Sequence, residues 1–379
     1  MRQVAAWVGL VMAVASHAQE APTFVGFSDT LLFNDSLLYS AFGYHGPAPL
    51  FVQAWFPVDL DATQQDLTFA GLRERSLPVP LSRVHEELCL RMDSAFVEYC
   101  VRYPFGGDEP IDYAPQAIWQ VKDSLFALRT HARRSALPGG RRFPVIVYHH
   151  GSQGMSDENV WMAEWFAENG FIFLSCNWHW PLHGAMYGTP ITWETDRSGI
   201  RMMLRFAREL GDGKVFYIGH SWGAQEGWCT LHEPGMADAF VSLETTIEWK
   251  TDTAEVRDKW PRVFEAITTR SYGLPILMVA DTEGEPPYQM FRGVRADISY
   301  LDPKEPFGHE SYTSAYLLRR AVTGQFNVPD ADALDAQFDL HAAMLGEVLA
   351  FLQEHAGMPV IRPVHRTGDR FHRARTRVH

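Results

Sequence analysis

The segment that most constrains this chain is Val215-Phe-Tyr-Ile-Gly-His-Ser-Trp-Gly223. Its first four residues are apolar and read as a buried strand. Gly219 and Gly223 then flank Ser221, and a helical pattern runs on from Trp222. A strand that turns straight into a helix forces the pivot residue into a strained backbone conformation. Side chains at the flanking positions would collide with strand and helix, which is why both are glycine. The pivot hydroxyl is then presented above a sheet, at the positive end of the new helix. Ser221 is therefore a candidate nucleophile.

Such a turn needs a sheet around it, and the neighbouring sequence supplies one. Short apolar runs at 145–148, 171–174, 239–243, 276–280 and 298–301 read as further strands. Segments 159–169 and 196–210 read as helices stopped by Gly170 and Gly211, and 334–355 carries a long amphipathic helix. Strands alternating with helices imply parallel βαβ units with right-handed crossovers and helices on both faces of the sheet. Reactive groups in such sheets gather at the carboxyl ends of the strands. Residues 19–140 are less regular. They hold a strand at 50–57 and then short helical patterns broken by Pro and Gly, and they read as an N-terminal elaboration of one domain spanning 19–357.

Other candidate residues follow from that rule. His149-His-Gly-Ser-Gln-Gly154 comes directly after the strand 145–148. The backbone N–H groups of Ser152 and Trp222 suit an oxyanion hole, in which each donor contributes about 3 to 4 kcal/mol to the transition state. A base must come late in the chain, beyond the core strands. Among 16 histidines, His309 in Phe307-Gly-His-Glu-Ser311 is the best placed. His341 and His355 fall in the C-terminal helix, and His365, His372 and His379 in the tail. Two acids end strands and lie between Ser221 and His309 in chain order: Glu244 and Asp281. Order alone does not choose between them. Trp178, Trp180 and Tyr187 lie in an aromatic segment after a strand and suit the wall of an apolar pocket. His179 and His183 have i, i+4 spacing, but Pro181 between them argues against a metal-binding helix, so neither a metal nor an organic cofactor is expected.

Residues 1–18 read as a signal peptide: Arg2, an apolar stretch over 4–15, and Ser16-His-Ala18 as a cleavage site. A secreted or periplasmic protein is expected. The formal net charge of −13 disfavours nucleic acid as a partner, and no segment suits stable membrane insertion. Residues 358–379 form a basic tail with Arg362, Arg366, Arg370, Arg373, Arg375 and Arg377, read as solvated. Of the four cysteines, Cys89 and Cys100 are the pair best placed for a disulfide, whereas Cys176 and Cys229 fall in apolar segments as buried thiols.

Taken in order, several of these motifs are similar to those of type II platelet-activating-factor acetylhydrolases and the wider dienelactone-hydrolase-like esterases. The resemblance rests on Phe143-Pro-Val-Ile-Val-Tyr-His-His-Gly151, Gly219-His-Ser-Trp-Gly223, Val241-Ser-Leu-Glu244 and Gly308-His309, and covers about half the chain. It implies the α/β-hydrolase fold and a Ser221–His309–acid triad, with Glu244 as the acid because it stands after the strand that follows the elbow helix. Relatives usually carry Asp there, and this chain carries Glu. It also implies hydrolysis of a small-molecule carboxylic ester through an acyl-enzyme. A serine peptidase on the same fold, or a non-catalytic binding protein, are the alternatives.

Overall fold

The computed structural model describes residues 24–58, 65–102, 115–138, 143–178, 197–282, 288–322, 325, 331–360 and 370–376. The strands are β1 (Phe24–Ala41), β2 (Tyr44–Val58), β3 (Ala132–Arg134), β4 (Val145–His149), β5 (Ile172–Ser175), β6 (Val215–His220), β7 (Ala239–Leu243), β8 (Ile276–Val279), β9 (Ile298–Pro303) and β10 (Phe371–Thr376). The helices are α1 (Leu81–Phe96), α2 (Pro115–Phe126), α3 (Val160–Glu168), α4 (Ser198–Leu210), α5 (Trp222–Thr230), α6 (Thr253–Lys259), α7 (Pro261–Thr269), α8 (Ser314–Leu317) and α9 (Ala331–Ala356).

All ten strands join one sheet in the order β10-β9-β8-β7-β6-β4-β5-β2-β1-β3. The six strands from β5 to β9 are parallel, as the alternating sequence requires. Their side chains alternate between two buried layers. Val145 and Val147 join Val215 and Tyr217 on one face, packed against Met203 and Leu204 of α4 and Trp228 of α5. Ile146 and Tyr148 join Phe216 and Ile218 on the other, packed against Phe166 of α3 and Leu345, Val348 and Leu352 of α9. A strand buried on both faces has no polar side to mark it, which is why these read as unbroken apolar runs.

The N-terminal region is part of the sheet rather than an addition to it. β2 pairs antiparallel with β5, and β1 pairs antiparallel with β2 along almost its whole length. The register shifts between Asn34 and Leu38, and this bulge breaks the alternation that would have marked β1 as a strand. Segment 65–138 adds α1 and α2, which bury Val84, Leu88, Val121 and Leu125 on the face of the sheet that carries α9. A buried ion pair ties this layer down: Arg73 donates to both carboxylate oxygens of Asp157, just before α3, and to Asp93 of α1.

Two expectations are corrected. Cys89 and Cys100 are free thiols. α1 runs directly into a π-helical turn, Val97–Arg102, so both cysteines lie on one continuous rod. Eleven helical residues span about 16 Å, far beyond the roughly 4 to 7 Å between Cα atoms that a disulfide needs. The second correction concerns the tail. Phe371–Thr376 pairs antiparallel with β9 as the tenth strand, with Phe371 buried. Its arginines meet acids of the domain: Arg373 donates to Glu347 at 2.8 Å and Arg375 to Asp297 at 2.8 Å. The side chains after Phe371 are exposed, as basic composition suggested, but the edge of β9 orders them as a strand with backbone hydrogen bonds and matching carboxylates. Residues 1–18, expected to be a signal peptide, lie outside the described residues. Among the described residues no helix is long and apolar enough to cross a membrane.

Candidate active site

The carboxyl ends of β4, β6 and β7 and the turn after β9 converge. Ser221 stands between β6 and α5 with φ 54° and ψ −118°, a conformation an L-residue holds only under constraint. The constraint is visible in the glycines. A Cβ on Gly219 would lie 2.5 Å from the carbonyl carbon of Gly223, and one on Gly223 would lie 2.0 Å from the carbonyl oxygen of His149. The Ser221 N–H donates to the Leu243 carbonyl of β7 at 3.0 Å, pinning the turn across strands.

The loop after β4 abuts this elbow. A Cβ on Gly151 would sit 3.2 Å from Cβ of Ser221. Ser152 follows on that loop, and Trp222 is the first residue of α5, at the positive end of that helix. The Gly151 N–H itself donates to Oε1 of Glu158 at 3.3 Å.

His309 opens the 3₁₀ turn His309–Tyr312 after β9. Its Nδ1 is hydrogen-bonded to Oε1 of Glu244, at the end of β7. The Glu244 side chain is 3% exposed and that of His309 26%, so the carboxylate is sealed while part of the imidazole stays open. Glu244 is held with φ 44°, and its N–H donates to the Val279 carbonyl of β8 at 3.0 Å. Burial works to lower the pKa of His309. The charge and hydrogen bond of Glu244, joined by the charges of Glu310 and Glu248, outweigh it and raise His309 above its ordinary value.

Asp281 has a different place. Its Oδ2 accepts from the N–H of Phe307 at 2.7 Å, which holds the segment leading to His309 rather than the imidazole. His341 is buried on α9 with Nδ1 bonded to the Ser311 carbonyl at 2.9 Å, and so supports the same turn from below. Trp178 is buried. Its indole N–H donates to the Tyr148 carbonyl at 2.9 Å, and its ring lies 4.3 Å from that of His149. It packs against the loop that follows β4, and its backbone N–H donates to Nε2 of His150 at 3.3 Å. Trp180, Tyr187, His179 and His183 lie outside the described residues. Among the described residues no cluster of three or more His, Cys, Asp or Glu could hold a metal ion.

Four groups that sequence reasoning passed over complete the surroundings. Glu158 is fully buried and accepts from the hydroxyl of Tyr148 at 2.5 Å. His220 is buried beside it. Glu310 is buried and receives the side-chain amide of Gln153. Glu248 accepts from the N–H and hydroxyl of Thr245, both at 2.8 Å, and burial raises its pKa to about 7. The sequence offered only adjacency as a signal: Gln153 follows Ser152, Glu310 follows His309, and His220 precedes Ser221.

Comparison with solved structures places this arrangement in a known architecture. A ferulic acid esterase from Streptomyces cinnamoneus superposes with a TM-score of 0.52 at 18% identity, covering 93% of this chain and 96% of its own. The chain has the α/β-hydrolase fold. A putative dienelactone hydrolase from Klebsiella pneumoniae aligns over 54% of this chain and 89% of its own, at 12% identity and a TM-score of 0.33. An acylaminoacyl peptidase aligns over 53% of this chain and 41% of its own, at 13% identity and a TM-score of 0.34. No family model and no curated protein sequence matches the chain. In the α/β-hydrolase fold the strand-to-helix turn after β6 is the expected seat of a nucleophile, and here that residue is Ser221.

Proposed function

We propose that this protein is a serine hydrolase that cleaves carboxylic esters through an acyl-enzyme. The observation that carries the reading is the bond between the buried carboxylate of Glu244 and Nδ1 of His309. It fixes the ring's tautomer, keeping the proton on Nδ1 and leaving Nε2 as the basic nitrogen. The strained elbow that presents Ser221 supports the same reading.

In this mechanism Oγ of Ser221 attacks the ester carbonyl while Nε2 of His309 takes its proton. Glu244 steadies the imidazolium that forms, without itself taking a proton. The N–H groups of Ser152 and Trp222 receive the oxyanion. The tetrahedral intermediate then expels the alcohol, which leaves with the proton from Nε2. Water attacks the acyl-Ser221, gives its proton to His309, and the carboxylic acid departs with Ser221 restored. A small ester as substrate rests on the motif resemblance, and the esterase that superposes on nearly the whole chain belongs to the same reaction class. Export follows from residues 1–18, and a secreted chain beginning at Gln19 is the N-terminal sequence this expects.

The test is turnover of p-nitrophenyl esters of increasing acyl length, with Ser221→Ala as the control, alongside labelling by a fluorophosphonate. Turnover and labelling that both vanish in Ser221→Ala are expected. Turnover that survives in that variant would overturn the assignment. A folded wild type that labels at Ser221 yet spares every ester, while cleaving peptide anilides, would make it a peptidase.

A further inference from the structure

Gln153 and Glu310 stand 157 positions apart in the chain, and each directly follows a residue of the proposed machinery. Gln153 comes after Ser152 on the loop beyond β4, and Glu310 comes after His309 on the turn beyond β9. Their side chains meet in the interior: Nε2 of Gln153 lies 2.7 Å from Oε1 and 2.9 Å from Oε2 of Glu310. Both residues are buried, at 3% and 5% exposure, so water does not compete for the bond.

Each end is anchored. The Gln153 side chain folds back over Gly151, where a Cβ would lie 2.3 Å from its Oε1, so the glycine makes room for the amide. At the other end the Glu310 carbonyl accepts from both the N–H and the hydroxyl of Thr313, at 3.0 and 2.9 Å. A hydrogen bond to a buried carboxyl group between two fixed loops has little freedom to shift. Losing it leaves a buried polar group unpaired.

We propose that the Gln153–Glu310 bond is a positioning clamp that fixes the oxyanion loop relative to His309 and so sets the rate of the chemical step. The inference rests on the hydrolase reading above. Neither residue touches the reacting atoms in this scheme. Gln153 acts by placing the N–H of Ser152, and Glu310 by placing the ring of His309. A donor or base misplaced by about 1 Å costs on the order of 100-fold in rate. Binding of the ester before attack does not depend on that alignment.

The experiment measures kcat and KM separately on a p-nitrophenyl ester for Gln153→Leu, Glu310→Leu, the double variant and Glu310→Gln, with thermal melts of each. The clamp predicts a fall in kcat of about 10- to 100-fold for each Leu variant with KM within about threefold. The double variant should lose no more than either single one, because both remove one bond. Glu310→Gln still accepts from Gln153 and should recover kcat to within about threefold of wild type. Gln153→Asn, too short to reach, replaces Gln153→Leu if that variant does not fold. Wild-type kcat in folded Gln153→Leu or Gln153→Asn overturns the clamp, as does full additivity in the double variant. Ser221→Ala is run alongside. Residual turnover there would sink the hydrolase reading itself, whereas a dead Ser221→Ala beside an unaffected Gln153 variant sinks the clamp alone.

Discussion

Nε2 of His220 donates to the carbonyl oxygen of His309 at 3.0 Å, while Nδ1 of the same ring faces Oε1 of Glu158 at 3.6 Å. The residue before the candidate nucleophile thus grips the backbone of the candidate base. A neutral imidazole that donates from Nε2 keeps Nδ1 as an acceptor, so a charged Glu158 would face it unfavourably. Burial lowers His220 to about 4, helped by the charge of His309, and burial raises Glu158. His220 is therefore uncharged at neutral pH, and burial favours the protonated form of Glu158.

If Glu158 holds its protonated form in the fold, an amide can replace it. Its Oε1 accepts from the Tyr148 hydroxyl and the Gly151 N–H, and a glutamine carbonyl accepts in the same way. Glu158→Gln is expected to change stability by less than about 1 kcal/mol, whereas Glu158→Ala strands buried donors and costs about 2 kcal/mol. Urea titrations of both variants check this. A large loss in Glu158→Gln would mean that Glu158 carries charge in the fold.

The two acids at strand ends have separable tasks. Glu244→Gln keeps the shape of the contact with Nδ1 of His309 but favours the wrong tautomer, and kcat should fall by about 10³- to 10⁴-fold. Asp281→Asn retains an acceptor for the Phe307 N–H and should cost less than about tenfold. Steady-state kinetics on the two folded variants decide the matter, and the reverse ranking would transfer the triad acid to Asp281.

The pH profile follows from the charges around His309. Glu244, Glu310 and Glu248 raise its pKa against the effect of burial, and His220 faces it uncharged. The base must be neutral to act, so kcat/KM should climb as pH rises, with its half-maximum above the ordinary imidazole value of about 6.5. Glu244→Gln removes the nearest carboxylate and should move that inflection down in whatever activity remains. Linkage has the matching sign. The stabilisation from this pair is full below the unfolded His pKa of about 6.5, and it is lost as pH rises through the elevated folded value. Melts of wild type and Glu244→Gln should therefore converge toward alkaline pH, and curves that diverge would contradict the pairing.

The parallel half of the fold was legible because its signals are local. The β6 run, the flanking glycines and the helix from Trp222 are contiguous, and physics allows them few arrangements. His309 could be chosen by chain order, since the base must follow the core strands. Glu244 against Asp281 could not, because both end strands and differ only in where the next loop folds. The Gln153–Glu310 and His220–Glu158 contacts were out of reach for the same reason: partners far apart in sequence meet only through sheet register. β1 was hidden by the bulge between Asn34 and Leu38, and β10 by a composition that mimics a solvated tail. The Cys89–Cys100 pairing failed because closeness in sequence is not closeness in space along a helix.

The C-terminal strand offers the last prediction. β10 covers the edge of β9, and an uncovered edge strand invites pairing with other chains. Its anchor is Phe371, 1% exposed and packed in the same layer as α9, while its arginines lie in water beside their acids. Apolar burial should dominate here, because exposed ion pairs are each worth about 0 to 1 kcal/mol. Phe371→Ala is expected to cost about 3 kcal/mol or more, and Arg375→Met under about 1 kcal/mol. Denaturant unfolding of the two variants measures both. If Phe371→Ala is silent, the strand contributes nothing to the fold, and residues 370–376 would be the solvated tail that their charge suggests.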